Sequence, residues 1–381
     1  MRVCHLTPLF QCDRCNNHLI LMIYNWFYMK NCRTFLLLLC LIALLNSCQT
    51  GVESYINGIS IGNMDSSLCV SDFFKRAQLI GIQEDSSCFI GDIEKIKVSE
   101  NDYFVLSDMS KQLTKVDKDG RCLCTLKRVG NGHDEYILIS DYDMNDSLIY
   151  ILCYPNKIIV TDLSLNIQEI IEIKQPASRL CCRGKFVYLY DDISRKLYAL
   201  TEHRKMELLH EETPMPSALK ENSDIFYKTK SSMYYIAEGS DVLYKIDNGN
   251  TLDSVVVLDY KNKDKVIKRF SENKMLSYDE RIHISCPIVK SIIEQDDHLL
   301  IIYNFGPNIC ACVVSLSDYS LLEDGWIKGT SCIPMIQSSG IVLAKGFITT
   351  EKCPVDTTEI SVKILHELDK KNGCLVVVKY E

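Results

Sequence analysis

The sequence predicts an all-β chain: a six-bladed β-propeller of four-stranded antiparallel blades, preceded by a signal peptide. Three observations predict it. Short runs of β-branched and aromatic residues alternate with polar turns, and no long amphipathic helix interrupts them. The runs recur with a period of about 40–45 residues. Composition is globular, 47% apolar and 24% charged over 381 residues, and 20 tyrosines add β-favouring content.

The clearest copy spans 93–127. Ile93–Val98, Tyr103–Ser107, Leu113–Asp117 and Arg121–Lys127 read as strands, separated by Ser99–Asp102, Asp108–Lys111 and the tight turn Lys118-Asp119-Gly120. Four strands joined by hairpin-length turns make one antiparallel meander. Leu148–Cys153, Ile158–Asp162 and Ile167–Lys174 repeat the last three strands, and Asp117 and Asp162 both end the third, 45 residues apart. Phe186–Tyr190 and Lys196–Leu200 begin another copy. Met233–Ile236, Val242–Asp247 and Ser254–Leu258 give a fourth, with Asp247 in the place of Asp162. His298–Tyr303 and Cys310–Leu316 give a fifth, and Ile341–Thr349 with Cys374–Lys379 a degenerate sixth. A lone four-stranded blade exposes two apolar faces; radial stacking buries both and leaves only short edges. The ring must close, and Ile59–Ile61 or Ala77–Ile82 can supply the outer strand of the last blade. A pair of β-sandwiches is the competing architecture.

Ahead of the repeats lies an export signal. Lys30 and Arg33 precede Phe35–Leu45, an apolar run of eleven residues followed by Asn46-Ser47-Cys48. This is the pattern of a secretory signal, and the run is too short for a spanning helix of ~20 residues. Leu45-Asn46-Ser47-Cys48 resembles a bacterial lipobox, which implies acylation of Cys48. A plain signal peptide or an uncleaved anchor is the alternative. Stretching one span over Leu19–Leu45 would place Lys30, Asn31 and Arg33 mid-membrane, at a cost of several kcal/mol. The expected organisation is an upstream extension from a misassigned start at 1–28, a lipoprotein signal peptide at 29–47, a tether at 48–58 and the propeller at 59–381. Of 42 basic and 50 acidic residues, four and one precede Cys48, so the net charge moves from −8 to −11 on cleavage. An acidic domain argues against nucleic acid and against electrostatic binding to anionic lipid.

Nineteen cysteines are many; five precede Cys48 and thirteen follow it. An odd number cannot all pair internally. Cys122 and Cys124, and Cys310 and Cys312, stand at i, i+2 on one strand face, and Cys181 and Cys182 are adjacent. They read as small buried apolar residues rather than a disulfide framework, with one or two disulfides, or a metal or redox site, as alternatives. Cys12 and Cys15 have a zinc-like spacing, but no second ligand pair follows.

Candidate chemistry is sparse. Gly130-Asn131-Gly132 can cradle an anion through backbone N–H groups, or can provide positive φ at a blade crossover; no Lys-Ser/Thr follows to make a phosphate loop. Asp141, Asp143 and Asn145 match the first half of a calcium loop, but Asp146 holds position six and Leu152 position twelve, so a polar strand end and turn is expected. Asp117–Gly120 fails in the same way at Arg128 and reads as a hairpin turn. His133, His203, His210, His283, His298 and His366 form no close ligand pair, and no GxSxG elbow is present. Tyr103, Tyr150, Tyr188, Tyr234, Tyr244 and Tyr303 recur beside successive strands and either line a binding surface or pack between blades. No cofactor and no metal site are expected, and an enzyme is the less favoured reading.

Several segments carry a family pattern. Ser71–Phe74 through Ala77–Ile80 matches an opening strand, and Phe89–Ile96 an "IG-I-KI" lead-in to blade one. Arg128–Tyr136 matches a Gly-rich blade exit that usually ends Pro-Gly-Glu-Tyr, with His133-Asp134 in place of Pro-Gly. Asp241–Ile246 matches a "D-IY-I" strand of blade four. On these segments the chain from about Ile59 resembles the Bacteroidetes-type six-bladed propeller lipoproteins, relatives of NHL-like propellers. The resemblance implies architecture and envelope location, and supplies no substrate. The expected function is a cell-envelope lipoprotein whose propeller binds a protein, peptide or glycan. NHL-like propellers include lyases and lactonases, so an enzyme with a channel-axis site is one alternative; a structural subunit of an envelope assembly is another. Expected partners are the membrane, through the lipid on Cys48, and such a ligand. Gln49–Val52 lacks an acidic run, which favours the periplasmic side over the cell surface.

Overall fold

The computed structural model describes residues 57–69, 73, 77–82, 89–90, 93–99, 102–107, 109, 111–201, 204–212, 224–229, 231–237, 239–247, 251–260, 287–305, 308–327, 341–345 and 375–380. The signal region and Cys48 lie outside them.

The fold is an all-β propeller. Its first blade pairs β4 (Ile93–Val98), β5 (Asp102–Ser107), β6 (Gln112–Asp117) and β7 (Cys122–Leu126) in that order. The second pairs β8 (Leu138–Met144), β9 (Leu148–Tyr154), β10 (Lys157–Asp162) and β11 (Ile167–Glu172). The third pairs β12 (Arg179–Arg183), β13 (Phe186–Asp191), β14 (Lys196–Leu200) and β15 (Met206–Glu211). The fourth pairs β16 (Phe226–Lys228), β17 (Met233–Tyr235), β18 (Val242–Ile246) and β19 (Leu252–Tyr260). The fifth pairs β20 (Ile288–Gln295), β21 (His298–Phe305), β22 (Asn308–Ser315) and β23 (Leu321–Ile327). A further sheet joins β24 (Ile341–Lys345), β25 (Leu375–Tyr380) and β3 (Ala77–Gly81).

Strand alternation explains why these runs are apolar almost throughout. Successive side chains point to opposite faces, and both faces of a blade meet a neighbour. On β9, Ile149, Ile151 and Cys153 pack with Phe104 and Leu113 of the first blade, while Leu152 packs with Leu180 and Leu189 of the third. Each fully buried Leu or Ile contributes about 1.5–3 kcal/mol. The expected hairpin role of the repeated aspartates is also visible. Asp117 accepts the amides of Asp119 and Arg121, Asp162 those of Ser164 and Asn166, and Asp247 that of Thr251, closing the third turn of three blades.

The chain before the first blade wraps the outside. β1 (Asn57–Ile61) runs parallel to β19, from Asn57 against Val256 to Ile61 against Tyr260. β2 (Ser67–Leu68) runs parallel to β23. β3 pairs antiparallel with β25, so of the two expected closing strands Ala77–Ile82 takes that place, and Ile59–Ile61 instead widens the fourth blade. Between β1 and β2 the chain is pinned: Gly62 donates its amide to Tyr303 Oη at 2.9 Å and Asn63 to Asp324 Oδ2 at 2.7 Å.

One cysteine departs from expectation. Cys122 is disulfide-bonded, so the Cys122/Cys124 pair is not two buried thiols. Cys153, Cys181, Cys182, Cys310 and Cys312 are free and buried, as small apolar residues would be.

Candidate functional site: the inner-strand charges

The first strands of the blades converge, and their charged side chains meet. Lys95 and Lys97 alternate on β4, so both point the same way. Asp141 and Asp143 do so on β8, with Tyr142 between them turned into the first seam, where its hydroxyl donates to the Phe104 carbonyl at 2.6 Å. Lys95 Nζ lies 2.7 Å from Asp141 Oδ1 and 2.7 Å from Asp224 Oδ1, just before β16. Lys97 Nζ lies 2.7 Å from Asp143 Oδ1, and Lys228 Nζ of β16 reaches the same carboxylate at 2.9 Å. Three lysines and three aspartates from the first, second and fourth blades thus neutralise one another.

The second oxygen of each β8 aspartate works on the third blade. Asp141 Oδ2 accepts the Leu180 amide at 2.8 Å, and Asp143 Oδ2 the Cys182 amide at 2.7 Å. An innermost strand has one unpaired edge, and its buried N–H groups need acceptors. The two carboxylates supply them to β12.

Electrostatics favour the charged forms of Asp143 and the three lysines. Burial alone would raise the Asp143 pKa, but Lys97 and Lys228, with hydrogen bonds from Lys97 and Cys182, hold it far below the usual carboxylate range. Burial would lower Lys97, but Asp143 foremost holds it well above its ordinary value. Lys95 is raised against the same burial by Asp141 and Asp224, and Lys228 by Asp143.

Sequence reasoning does not find this cluster. It expects Asp141 and Asp143 at a strand end and turn, yet both sit inside β8, because their periodicity of two serves an inner edge rather than a loop. Only Asn145 fits that expectation: its Oδ1 accepts the amides of Ser147 and Leu148. Among the described residues no group of three or more His, Cys, Asp or Glu is arranged to hold a metal.

The other candidates resolve differently. The Gly130–Gly132 loop does cradle an anion, and the anion is its own Glu135, whose Oε2 accepts the Gly132 amide at 2.7 Å. A Cβ on Gly130 would stand 2.1 Å from that oxygen. Neither glycine has the positive φ expected at a blade crossover, so that reading does not hold; instead the Glu135 side chain closely approaches both. Next to it Tyr136, fully buried, donates its hydroxyl to the Lys111 and Leu126 carbonyls at 3.0 and 3.2 Å, locking the crossing onto the first blade. Asp134 pairs with Arg128.

Tyr103, Tyr188, Tyr234 and Tyr303 are buried in the seams and line no surface, while Tyr150 and Tyr244 are half-buried. His133 is exposed; His210 stands 3.3 Å from Glu212 and packs on Tyr244; His298 pairs with Asp297. These three do not converge, and His203, His283 and His366 lie outside the described residues.

Comparison with known proteins agrees with the architecture. The family described as "Domain of unknown function (DUF4934)" matches residues 57–318. Among curated proteins none matches the chain. The solved structure of a candidate exported protein from Bacteroides fragilis NCTC 9343 is similar with a TM-score of 0.63 at 10% identity, over 85% of this chain and 100% of that one. A virginiamycin B lyase from Staphylococcus aureus gives 0.40 at 12% identity, over 68% of this chain and 76% of that one. Likeness at such identities concerns the fold alone.

Proposed function

Since the chain belongs to the DUF4934 family, we propose that it is an exported lipoprotein, acylated on Cys48, whose propeller serves as a binding module in the cell envelope. Six blades are included in this reading: the sheet of β24, β25 and β3 is the sixth, closed by the strand that precedes the first. The signal-like segment 29–48 supports export. The Bacteroides fragilis protein, described as a candidate for export, is consistent with it.

The observation that carries binding over catalysis is the state of the inner-strand charges. A general acid or base works best with a pKa near the operating pH. Asp143 is pulled far below that range, and Lys97 and Lys228 are held above theirs. Each is bonded to an opposite charge or a backbone amide, so these three groups are built to stay ionised and still. The test is an NMR titration of the aspartate carboxyl carbons and lysine Cε groups. Inner-strand groups silent between pH 5 and 9 support the reading, and any that titrates there reopens the channel as an acid–base centre. Lipidation is tested by labelling with a fatty-acid analogue, which a Cys48→Ser protein should not incorporate.

A further inference from the structure

Two ion pairs of the inner-strand cluster cross the central channel. Neighbouring blades meet in chain order: the first and second through Phe104 and Ile151, the second and third through Leu152 and Leu189, the third and fourth through Tyr188 and Met233. Among the described residues the fourth blade shares no apolar seam with the first or the second. Yet Asp224, just before β16, reaches Lys95 of the first blade at 2.7 Å, and Lys228 of β16 reaches Asp143 of the second at 2.9 Å. Contacts between blades that are not neighbours run through the lumen, and these side chains close it.

The three carboxylates are not equivalent. Asp141 and Asp143 lie within β8, their side chains 4% and 0% exposed, and each also holds a β12 amide. Turning either away from its lysine would break a backbone bond as well. Asp224 precedes its strand, and its side chain is 23% exposed. Its backbone is held separately, by the Tyr227 hydroxyl that donates to its carbonyl. Lys95 is 16% exposed, so solvent reaches this pair. A change of side-chain rotamer therefore withdraws the Asp224 carboxylate while the backbone stays in place. Three lysines would then face two carboxylates. A desolvated charge left without a partner costs several kcal/mol, so the position demands a replacement anion. Another carboxylate presents the same two acceptor oxygens to the ammonium group. A cation would meet three like charges.

We propose that Lys95 marks a binding position for a ligand's carboxylate in the channel, and that Asp224 occupies it as an internal surrogate. This assignment names the ligand chemistry of the binding-module reading and rests on that reading. A ligand carboxylate competes with Asp224 for the same ammonium group, so the internal pair sets a threshold affinity. Its arrival also releases the fourth blade's hold on the first, while Asp141 continues to neutralise Lys95 from the second.

The experiment follows the lysine side-chain NMR signals of the full chain as sodium acetate is added at constant ionic strength. Asp224→Asn should bind acetate at least about tenfold more tightly than wild type, with the Lys95 signal moving most. Lys95→Met plus Asp224→Asn, which removes the pair together, should lose that binding. Lys115 and Asp102 form a matched control on β6 and β5, a pair at 3.0 Å with side chains 15% and 24% exposed. Asp102→Asn should bind acetate no better than wild type. Circular dichroism verifies that each variant folds, and the wild type supplies a readout free of any substitution: high acetate should move Lys95 before Lys115. Equal affinity of Asp224→Asn and wild type, a shift largest at another lysine, or an equal gain in Asp102→Asn overturns the proposal. Glucuronate and N-acetylalanine, titrated in the same way, distinguish an acidic sugar from a peptide C-terminus by which binds more tightly. A pH titration of the same signals separates the two failures. Inner-strand groups that titrate between pH 5 and 9 sink the binding-module reading, whereas groups silent over that range with no acetate effect at Lys95 sink the carboxylate site alone.

Discussion

Asp143 on β8 accepts the backbone amide of Cys182 on β12 at 2.7 Å, so the seam between two blades is closed by a side chain reaching a strand edge. The same carboxylate, fully buried, holds Lys97 and Lys228. One residue thereby couples four inner strands: its own, β12, β4 and β16.

Removing that charge should be costly. Asp143→Asn keeps an oxygen for the Cys182 amide but deprives Lys97 of the carboxylate that lies 2.7 Å from its Nζ. Breaking a buried pair by deleting one partner costs about 3–5 kcal/mol. Asp143→Ala should cost more, since the amide also loses its acceptor. Urea unfolding midpoints at pH 7 measure both. An Asn variant within about 1 kcal/mol of wild type would show that the cluster does not hold the ring.

The same residue sets an acid limit. Its folded pKa lies below the unfolded value of about 3.9. Its contribution is therefore complete above the unfolded pKa and is lost as pH falls toward the folded one. Thermal midpoints of the wild type should decline from about pH 5 downward, and those of Asp143→Asn should decline less steeply. Lys97 behaves in the opposite sense: raised in the fold, it stabilises fully below its unfolded pKa of about 10.4 and loses that contribution above it. Parallel acid limbs in wild type and variant would contradict this.

The contrast between outer and inner strands explains what the sequence revealed. β5, β6, β9, β10, β13, β14, β18, β21 and β22 are buried on both faces between blades, so their runs are long and apolar, and their positions are legible to within two residues. The innermost strands of the second to fifth blades were not legible. β8 and β16 carry Asp141, Asp143 and Lys228, charges that answer to partners 39 to 85 residues away, and nothing local signals those partners. The place of β1, though not its strand Ile59–Ile61, and the whole of β2 were hidden for a related reason: their pairing is parallel and far in sequence, and their anchors are Tyr303 and Asp324. The Gly130 loop was read as a positive-φ crossover or an anion cradle, and nothing in its composition marks Glu135, five residues on, as the group that approaches its glycines.

That loop gives a double-mutant test. Gly130→Ala puts a Cβ where the Glu135 carboxylate now lies, and this side chain can swing away at the expense of the Gly132 bond. Each of Gly130→Ala and Glu135→Ala should cost about 1 kcal/mol. Because both remove the same interaction, the double variant should cost little more than either single one. Additive losses would mean that Gly130 serves some other contact.

The belt around the fourth and fifth blades offers a sharper steric contrast. A Cβ on Gly325 would meet the Ser66 carbonyl oxygen at 2.9 Å, and that carbonyl also accepts the Trp326 amide. Here the obstacle is backbone, so Gly325→Ala must lift β2 from β23. Gly58→Ala on β1 meets nothing within 4 Å and should be neutral. Hydrogen exchange at Leu68 should accelerate in the first variant and stay unchanged in the second; equal protection in both would refute the contact.

The buried thiols should be inert until the blades separate. Burial pushes Cys153 and Cys310 up to about 12, and Cys181, Cys182 and Cys312 are raised as well. A thiol near 12 is thiolate in only about 1 part in 10⁴ at pH 8, and the thiolate is the nucleophile. Closed seams add a second barrier, since an alkylating agent must pry packed sheets apart to reach Cys181 or Cys312. Iodoacetamide at pH 8 should leave all five unmodified in the native protein and modify all five in urea. Native alkylation at the rate of an exposed thiol, read by peptide mass spectrometry, would place a cysteine outside the packed seams and undo the assignment of these residues as apolar filler.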